Sequence, residues 1–185
     1  MFYKRILQFN TKRKEILTDL LISKQDNYNI FSDYGLYFRS IKGTLNHILF
    51  ADCLWLMRLS NLDKINITNP KLAIDYKDIS KYWTDDFTEV IFESHFKNID
   101  FLISHKQRQK EIDKLIYEYL MQKTAEDFEN KVTYLDTQGI PREKILSDCV
   151  FHLVNHSTHH IGQITSIFKK EDVPNLDYTN IMINQ

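Results

Sequence analysis

Residues 145–168, with the sequence ILSDCVFHLVNHSTHHIGQITSIF, have the apolar spacing of a long α-helix with one buried face. The stretch contains one glycine, Gly162, and no proline. Pro141, four residues upstream, suits a helix start because a proline in the first turn gives up no helical hydrogen bond. We therefore predict a helix here, and it carries four of the seven histidines in the chain.

The rest of the chain favours the same helical class. Only four glycines and three prolines interrupt 185 residues, so most of the chain must lie in long continuous elements. Apolar periodicity predicts three more helices, at residues 3–23, 40–59 and 85–121. Residues 60–80 contain several asparagines and Pro70, and we interpret them as a long crossover between helices two and three. We predict an all-α fold, a four-helix bundle.

One segment departs from helical spacing. Lys131–Leu135 alternates apolar and polar residues as a strand does, and the turn-forming sequence DTQG follows at 136–139. We expect a short hairpin or extended loop there, before helix four. The hydrophobic content of 43% supports one core at this length, so residues 1–185 are predicted to form a single helical-bundle domain.

Composition narrows the classes of function. The chain has 24 basic and 25 acidic residues, and the basic ones are scattered, which argues against a nucleic-acid partner. Cys53 and Cys149 are far apart and form no CxxC motif, so we expect neither a disulfide framework nor a thiolate zinc site, and a reducing cytoplasm fits. We predict neither a signal peptide nor a membrane span.

The histidines of helix four divide into two pairs. His156 and His160 are one turn apart, about 40° in direction, and both fall within the apolar stripe, so both should point inward. His152 and His159 lie on one flank, where they would line the rim of a pocket or orient a ligand histidine. His152 has the same spacing from His156, so a pairing of His152 rather than His160 with His156 is an open alternative.

A third inward histidine lies on helix two. His47 shares its face with small residues such as Gly43 and Ala51, so a metal ligand is available opposite helix four. Asp52 is about 140° away from His47 and should point to another helix or to water. In the competing interpretation the histidines only satisfy one another in a core. We expect His95 and His105 to be surface or partly buried, and the basic residues 12–14 to form a solvated face.

The segment HLVNHSTHHIGQI, residues 152–164, closely resembles the signature of the DinB/YfiT-like family of bacterial metalloproteins, which usually ends in HHRGQ. LNHILFADCLWLMRL, residues 45–59, is similar to the family's second helix, with His47, Asp52 and Trp55 at its histidine, acidic and tryptophan positions. The tail PNLDY, residues 174–178, is also similar, so the resemblance covers nearly the whole chain. It implies a four-helix bundle in which His47, His156 and His160 bind a divalent metal, often nickel or zinc.

The resemblance also implies a chemistry. Better understood relatives include transferases and isomerases that use low-molecular-weight thiols such as bacillithiol or mycothiol. We expect a metal-activated thiol, or a metal-bound hydroxide in a hydrolase, to act on a small molecule, with His152 or His159 as proton shuttle. The alternative is a non-catalytic metal- or small-molecule-binding protein of the stress response. Ile161 stands where the signature commonly has arginine, which weakens the transfer of an anionic substrate. Family habit favours a homodimer.

Overall fold

The computed structural model describes residues 2–60, 64–65, 74–75 and 98–172. Four helices lie in this part of the chain: α1 (Phe2–Ser23), α2 (Ile41–Ser60), α3 (Asn98–Met121) and α4 (Leu146–Thr165). The strands are β1 (Lys64–Ile65), β2 (Ile74–Asp75), β3 (Lys131–Leu135) and β4 (Pro141–Ile145). Single 3-10 turns occupy Asp127–Glu129 and Lys170–Asp172.

The first two helices pack against the last two. Helices α1 and α2 each contact both α3 and α4. The helix bounds agree closely with the periodicity of the sequence: α1, α3 and α4 each bury one face, whereas α2 is buried over most of its surface. The predicted start of helix three, most of the crossover, His95 and the PNLDY tail lie outside the described residues. None of the helices in the described ranges is long and apolar enough to cross a membrane.

A β-hairpin corrects the all-α prediction. Strand β3 pairs antiparallel with β4, from Lys131 opposite Ile145 to Leu135 opposite Pro141, so the structure is mostly helical but not all-α. Asp136 closes the turn, since its Oδ1 accepts hydrogen bonds from the backbone N–H groups of Gln138 and Ile140, each at 2.9 Å. The hairpin expected before helix four is present.

The prediction that Pro141 lies at a helix start is wrong. Pro141 is the first residue of β4, next to the turn, where the missing N–H is tolerated. Helix α4 starts five residues later at Leu146, after the extended Ile145. Pairing with β3 prevails over the local preference of proline for a helix start.

The interior also contains charge that the sequence pattern did not indicate. Arg13 and Lys14, expected on a solvated face, are each 5% exposed. The Lys14 ammonium forms ion pairs with Asp52 of α2, at 2.8 Å, and with Asp113 of α3. Gln109 donates to the same two carboxylates, at 2.8 and 3.0 Å. These four side chains join three helices through one buried polar cluster.

Candidate metal centre

Three histidines from two helices meet at one point. His47 comes from α2, and His156 and His160 come from successive turns of α4. Their ring centroids are 4.8 Å apart for His47 and His156, 4.6 Å for His47 and His160, and 4.5 Å for His156 and His160. One ring nitrogen of each lies within 4.8 Å of the others, so the triad can bind one metal ion.

Local structure explains how these side chains converge. His156 and His160 share a face of α4 because they are four residues apart. Helix α2 begins after Ser40, whose Oγ accepts a hydrogen bond from the backbone N–H of Gly43 at 3.0 Å. This cap sets the start of the helix, and His47 lies in its second turn, where α2 crosses α4.

Hydrogen bonds orient two of the rings. The Nδ1–H of His160 donates to Oε1 of Gln163 at 2.7 Å, because an amide oxygen only accepts. The Nε2 lone pair of His160 is then available to a metal, as in sites where a neighbouring oxygen fixes the histidine tautomer. The Nε2 atoms of His47 and His156 face each other at 2.9 Å.

The surroundings keep the triad uncharged near neutral pH. Burial, with mutual repulsion among the three rings, lowers the pKa of His47 to about 3. Burial and the neighbouring histidines likewise lower the pKa of His156 to about 3, and burial lowers the pKa of His160. Neutral imidazole is the form that binds metal ions.

The donor set fits a divalent cation. Nδ1 of His156 is buried and has no hydrogen-bond partner in the described part of the chain. A metal bound through Nδ1 would give this nitrogen a partner, whereas histidines that served only to satisfy one another leave it unpaired at a cost. Three imidazole nitrogens are a donor set suited to zinc, nickel, copper or iron.

The other two histidines of α4 lie outside this group. His152 and His159 are exposed, and their rings lie 6.0 Å from His156 and 4.9 Å from His160. His152, the alternative partner of His156, is not among the three residues whose ring nitrogens converge. Although the His152 side chain is largely exposed, partial burial of its ring and the nearby cations of Lys144 and Arg58 lower its pKa.

A cavity lies beside His152. It has a volume of about 540 Å³ and is formed by the β3–β4 hairpin and the outer face of α4. Its lining includes Lys144, Phe151, His152 and Asn155. His152 thus lies between this cavity and the triad, since its ring is 6.0 Å from that of His156, while none of the three triad histidines lines the cavity itself.

The structure also shows where three residues outside the triad lie relative to their predicted positions. Asp52 points to α1 and α3, as its direction on the helical wheel predicted, and pairs with Lys14. Ile161 is 1% exposed within an apolar cluster, so in this chain its position contributes to packing. His105, expected at or near the surface, is 3% exposed, and its ring stacks on Phe101 with centroids 5.7 Å apart.

Sequence reasoning missed two residues that contact the triad. Gln163 could have been found, because it follows His160 by three residues on the same helix. Phe38 carries no such signal, since it lies in the segment before α2. Its ring stacks on His47 with centroids 4.0 Å apart and an interplanar angle of 24°.

The family model described as "DinB family" matches residues 3–181 of the chain. No curated protein and no solved structure gives a significant match.

Proposed function

The chain belongs to the DinB family, and from this premise we propose that it is a metal-dependent enzyme in which His47, His156 and His160 bind one divalent ion, zinc or nickel. We further propose that residues 1–185 form a single four-helix-bundle domain. The observation that carries the proposal is the convergence of three neutral imidazoles, one ring nitrogen of each within 4.8 Å of the others. Three neutral ligands leave coordination positions open, which is typical of catalytic sites.

The reaction we favour is nucleophilic attack by a small thiol on an electrophilic substrate, with hydrolysis by water as the close variant. A divalent ion at this site supplies charge that lowers the pKa of a thiol or a water molecule. His152 accepts the proton of the nucleophile, sulfur forms a bond to the substrate, and the leaving group departs with its electron pair. The proposed reaction thus transfers the thiol to a small organic substrate.

Two features support His152 as the proton acceptor. Partial burial and the adjacent cations lower its pKa, so at pH 7 the imidazole is in the neutral form that has a free lone pair for a proton, although it is a weaker base than an unperturbed histidine. It also lines the cavity of about 540 Å³, a volume within the range of small-molecule sites. His159 is the alternative shuttle, because its ring lies beside His160.

The test begins with metal analysis of the untagged protein. We expect about one zinc or nickel ion per chain, lost in the His156→Ala variant with helicity retained in far-UV circular dichroism. His159→Ala is the matched control, since it removes an exposed histidine of the same helix and should retain the metal. Wild-type protein that binds no stoichiometric metal after loading would refute the site.

Turnover is tested on the metal-loaded protein. We expect thiol-dependent conjugation or hydrolysis of a small electrophile to depend on both the metal and His152. His152→Gln should reduce kcat about 100-fold, as the loss of a general base does, while leaving the metal content unchanged. Stoichiometric metal without thiol- or water-dependent turnover would contradict the enzyme proposal.

One observation favours a second function. His47 and His160 are only 8% and 7% exposed, and Phe38 covers both of them. A metal- or small-molecule-binding protein without catalysis, acting in a stress response, is consistent with a site shielded in this way. Stoichiometric metal together with no turnover supports this function over the enzyme.

A further inference from the structure

A tight turn before α2 brings an aromatic ring onto the triad. The Phe38 ring stacks on His47, with centroids 4.0 Å apart, and lies 5.7 Å from the His160 ring at an angle of 59°. Phe38 thus contacts two of the three candidate ligands. Neither apolar cluster in the described part of the chain includes Phe38, so core packing does not account for its position.

The backbone of this turn is closely constrained. The N–H of Tyr34 donates to the carbonyl of Arg39, and the N–H of Arg39 donates to the carbonyl of Leu36, each at 2.8 Å. Arg39 has a φ of 59°, a left-handed conformation that a residue with a side chain adopts only when its surroundings demand it. This conformation directs Phe38 inward, while Tyr37 and Arg39 on either side of it are exposed.

The turn is also joined directly to the helix that carries His47. The N–H of Ser40 donates to the carbonyl of Phe38 at 2.6 Å, and Ser40 in turn caps α2. The position of Phe38 relative to His47 is therefore set by one short, continuous piece of backbone. A ring anchored in this way can fix the plane of the imidazole that it contacts.

Different groups lie against the two sides of the triad in the described part of the chain. Phe38 covers the side formed by His47 and His160, whereas His152 and its cavity lie beside His156. The Phe38 ring occupies space directly against two of the three candidate ligands, so it restricts the bulk that a ligand bound there can have on that side.

We propose that Phe38 is a positioning and specificity-determining residue: it fixes the ring of His47 and limits the size of the ligands that bind to the metal. This inference rests on the proposed metal site. The turn at residues 34–40 thereby has a role in selecting ligands, whereas the triad histidines only bind the metal.

The first experiment compares wild-type, Phe38→Ala and Phe38→Leu proteins loaded with Co²⁺. Visible absorption is titrated with a small thiol, 2-mercaptoethanol, and a bulky one, glutathione. In Phe38→Ala we expect the preference for the small thiol to fall about tenfold and the affinity for Co²⁺ to fall about tenfold, as when a residue supporting a ligand is lost. Phe38→Leu keeps most of the bulk and should retain most of the preference.

An unchanged ratio of the two thiol affinities in Phe38→Ala would overturn the role in specificity. Wild-type protein that does not bind Co²⁺ would refute the proposed metal site instead. The two failures are therefore distinguishable.

The second experiment needs no metal. Metal-free protein is treated with diethylpyrocarbonate, and the modification of each histidine is followed by mass spectrometry. We expect His47 to react several-fold faster in Phe38→Ala than in wild type, because the ring that covers it is gone. His105, which is 3% exposed, and His159, which is exposed, are internal controls whose rates should not change.

Faster modification of His105 would reveal that Phe38→Ala is partly unfolded. In that case the test uses Phe38→Leu, in which we expect the modification rate of His47 to rise above the wild-type rate, but by less than in Phe38→Ala. Equal rates at His47 in folded wild-type and variant proteins would refute the shielding by Phe38.

Discussion

Replacement of Lys14 by methionine is expected to destabilise the protein by about 3–5 kcal/mol. The Lys14 ammonium is the cation of a buried cluster, and its partners Asp52 and Asp113 are 1% and 7% exposed. Methionine preserves most of the volume but leaves two buried carboxylates without a counter-ion. Breaking one partner of a buried pair is costly because the remaining charge stays away from water.

The loss should depend on pH with a defined sign. Burial raises the pKa of Asp52 even with Lys14 present, and without the ammonium it must rise further. A carboxyl group whose pKa is higher in the folded than in the unfolded state binds more protons when folded. Its stabilising contribution is therefore present at low pH and lost as pH rises, so the difference between K14M and wild type should be smaller at pH 5 than at pH 8.

Urea unfolding followed by far-UV circular dichroism measures both effects. Lys12→Met is the matched control, because Lys12 lies on the same helix, is 51% exposed, and has only a 3.7 Å contact with Glu15. An exposed pair of this kind contributes roughly 0–0.5 kcal/mol. A K14M variant within about 1 kcal/mol of wild type at pH 8 would contradict the structural role of the cluster.

Three further changes test other contacts. Gln163→Leu removes the acceptor that orients His160, so metal affinity measured by chelator competition should fall about 10- to 100-fold. The pKa of His105 is lowered to about 3 by burial and by the nearby cations of Arg108 and Lys14, so the unfolded state takes up a proton first as pH falls below about 6.5. Metal-free His105→Gln should therefore lose stability less steeply than wild type between pH 6.5 and 4, by up to about 1.4 kcal/mol per pH unit. Arg39→Gly should keep the free energy of unfolding within about 1 kcal/mol of wild type, because glycine adopts the left-handed conformation without strain but gains freedom in the unfolded state. Arg39→Val should destabilise the protein by more than this, measured by thermal unfolding, because a β-branched residue is strained in that conformation.

The parts of the structure that sequence could predict are those governed by local spacing. The four-residue interval between His156 and His160 places both on one face of α4 in any helix, so their inward direction follows from the pattern alone. The same argument placed Asp52 away from His47. These features depend on the geometry of a single helix and on little else.

Features that depend on contacts between distant residues could not be predicted in this way. Lys14 looks like part of an exposed basic run until Asp52 and Asp113, on two other helices, are known to meet it. In the sequence Phe38 has no feature that distinguishes it from other loop aromatics, because its contact with His47 depends on the conformation of the turn around Arg39. Pro141 shows the same limit, because pairing with β3 determines its conformation.

Helix α2 connects the buried charge cluster to the candidate metal centre. Eighteen of its twenty residues are buried, so amphipathic packing alone does not determine how far it is rotated about its axis. Asp52 supplies that determinant, since its contacts with Lys14 and Gln109 fix one face of the helix against α1 and α3. His47 lies on the same helix about 140° away, and the rotation that satisfies Asp52 is the one that directs His47 toward α4. One rotation of α2 thus satisfies both the charge cluster and the triad, although none of the residues of the cluster contributes a ligand.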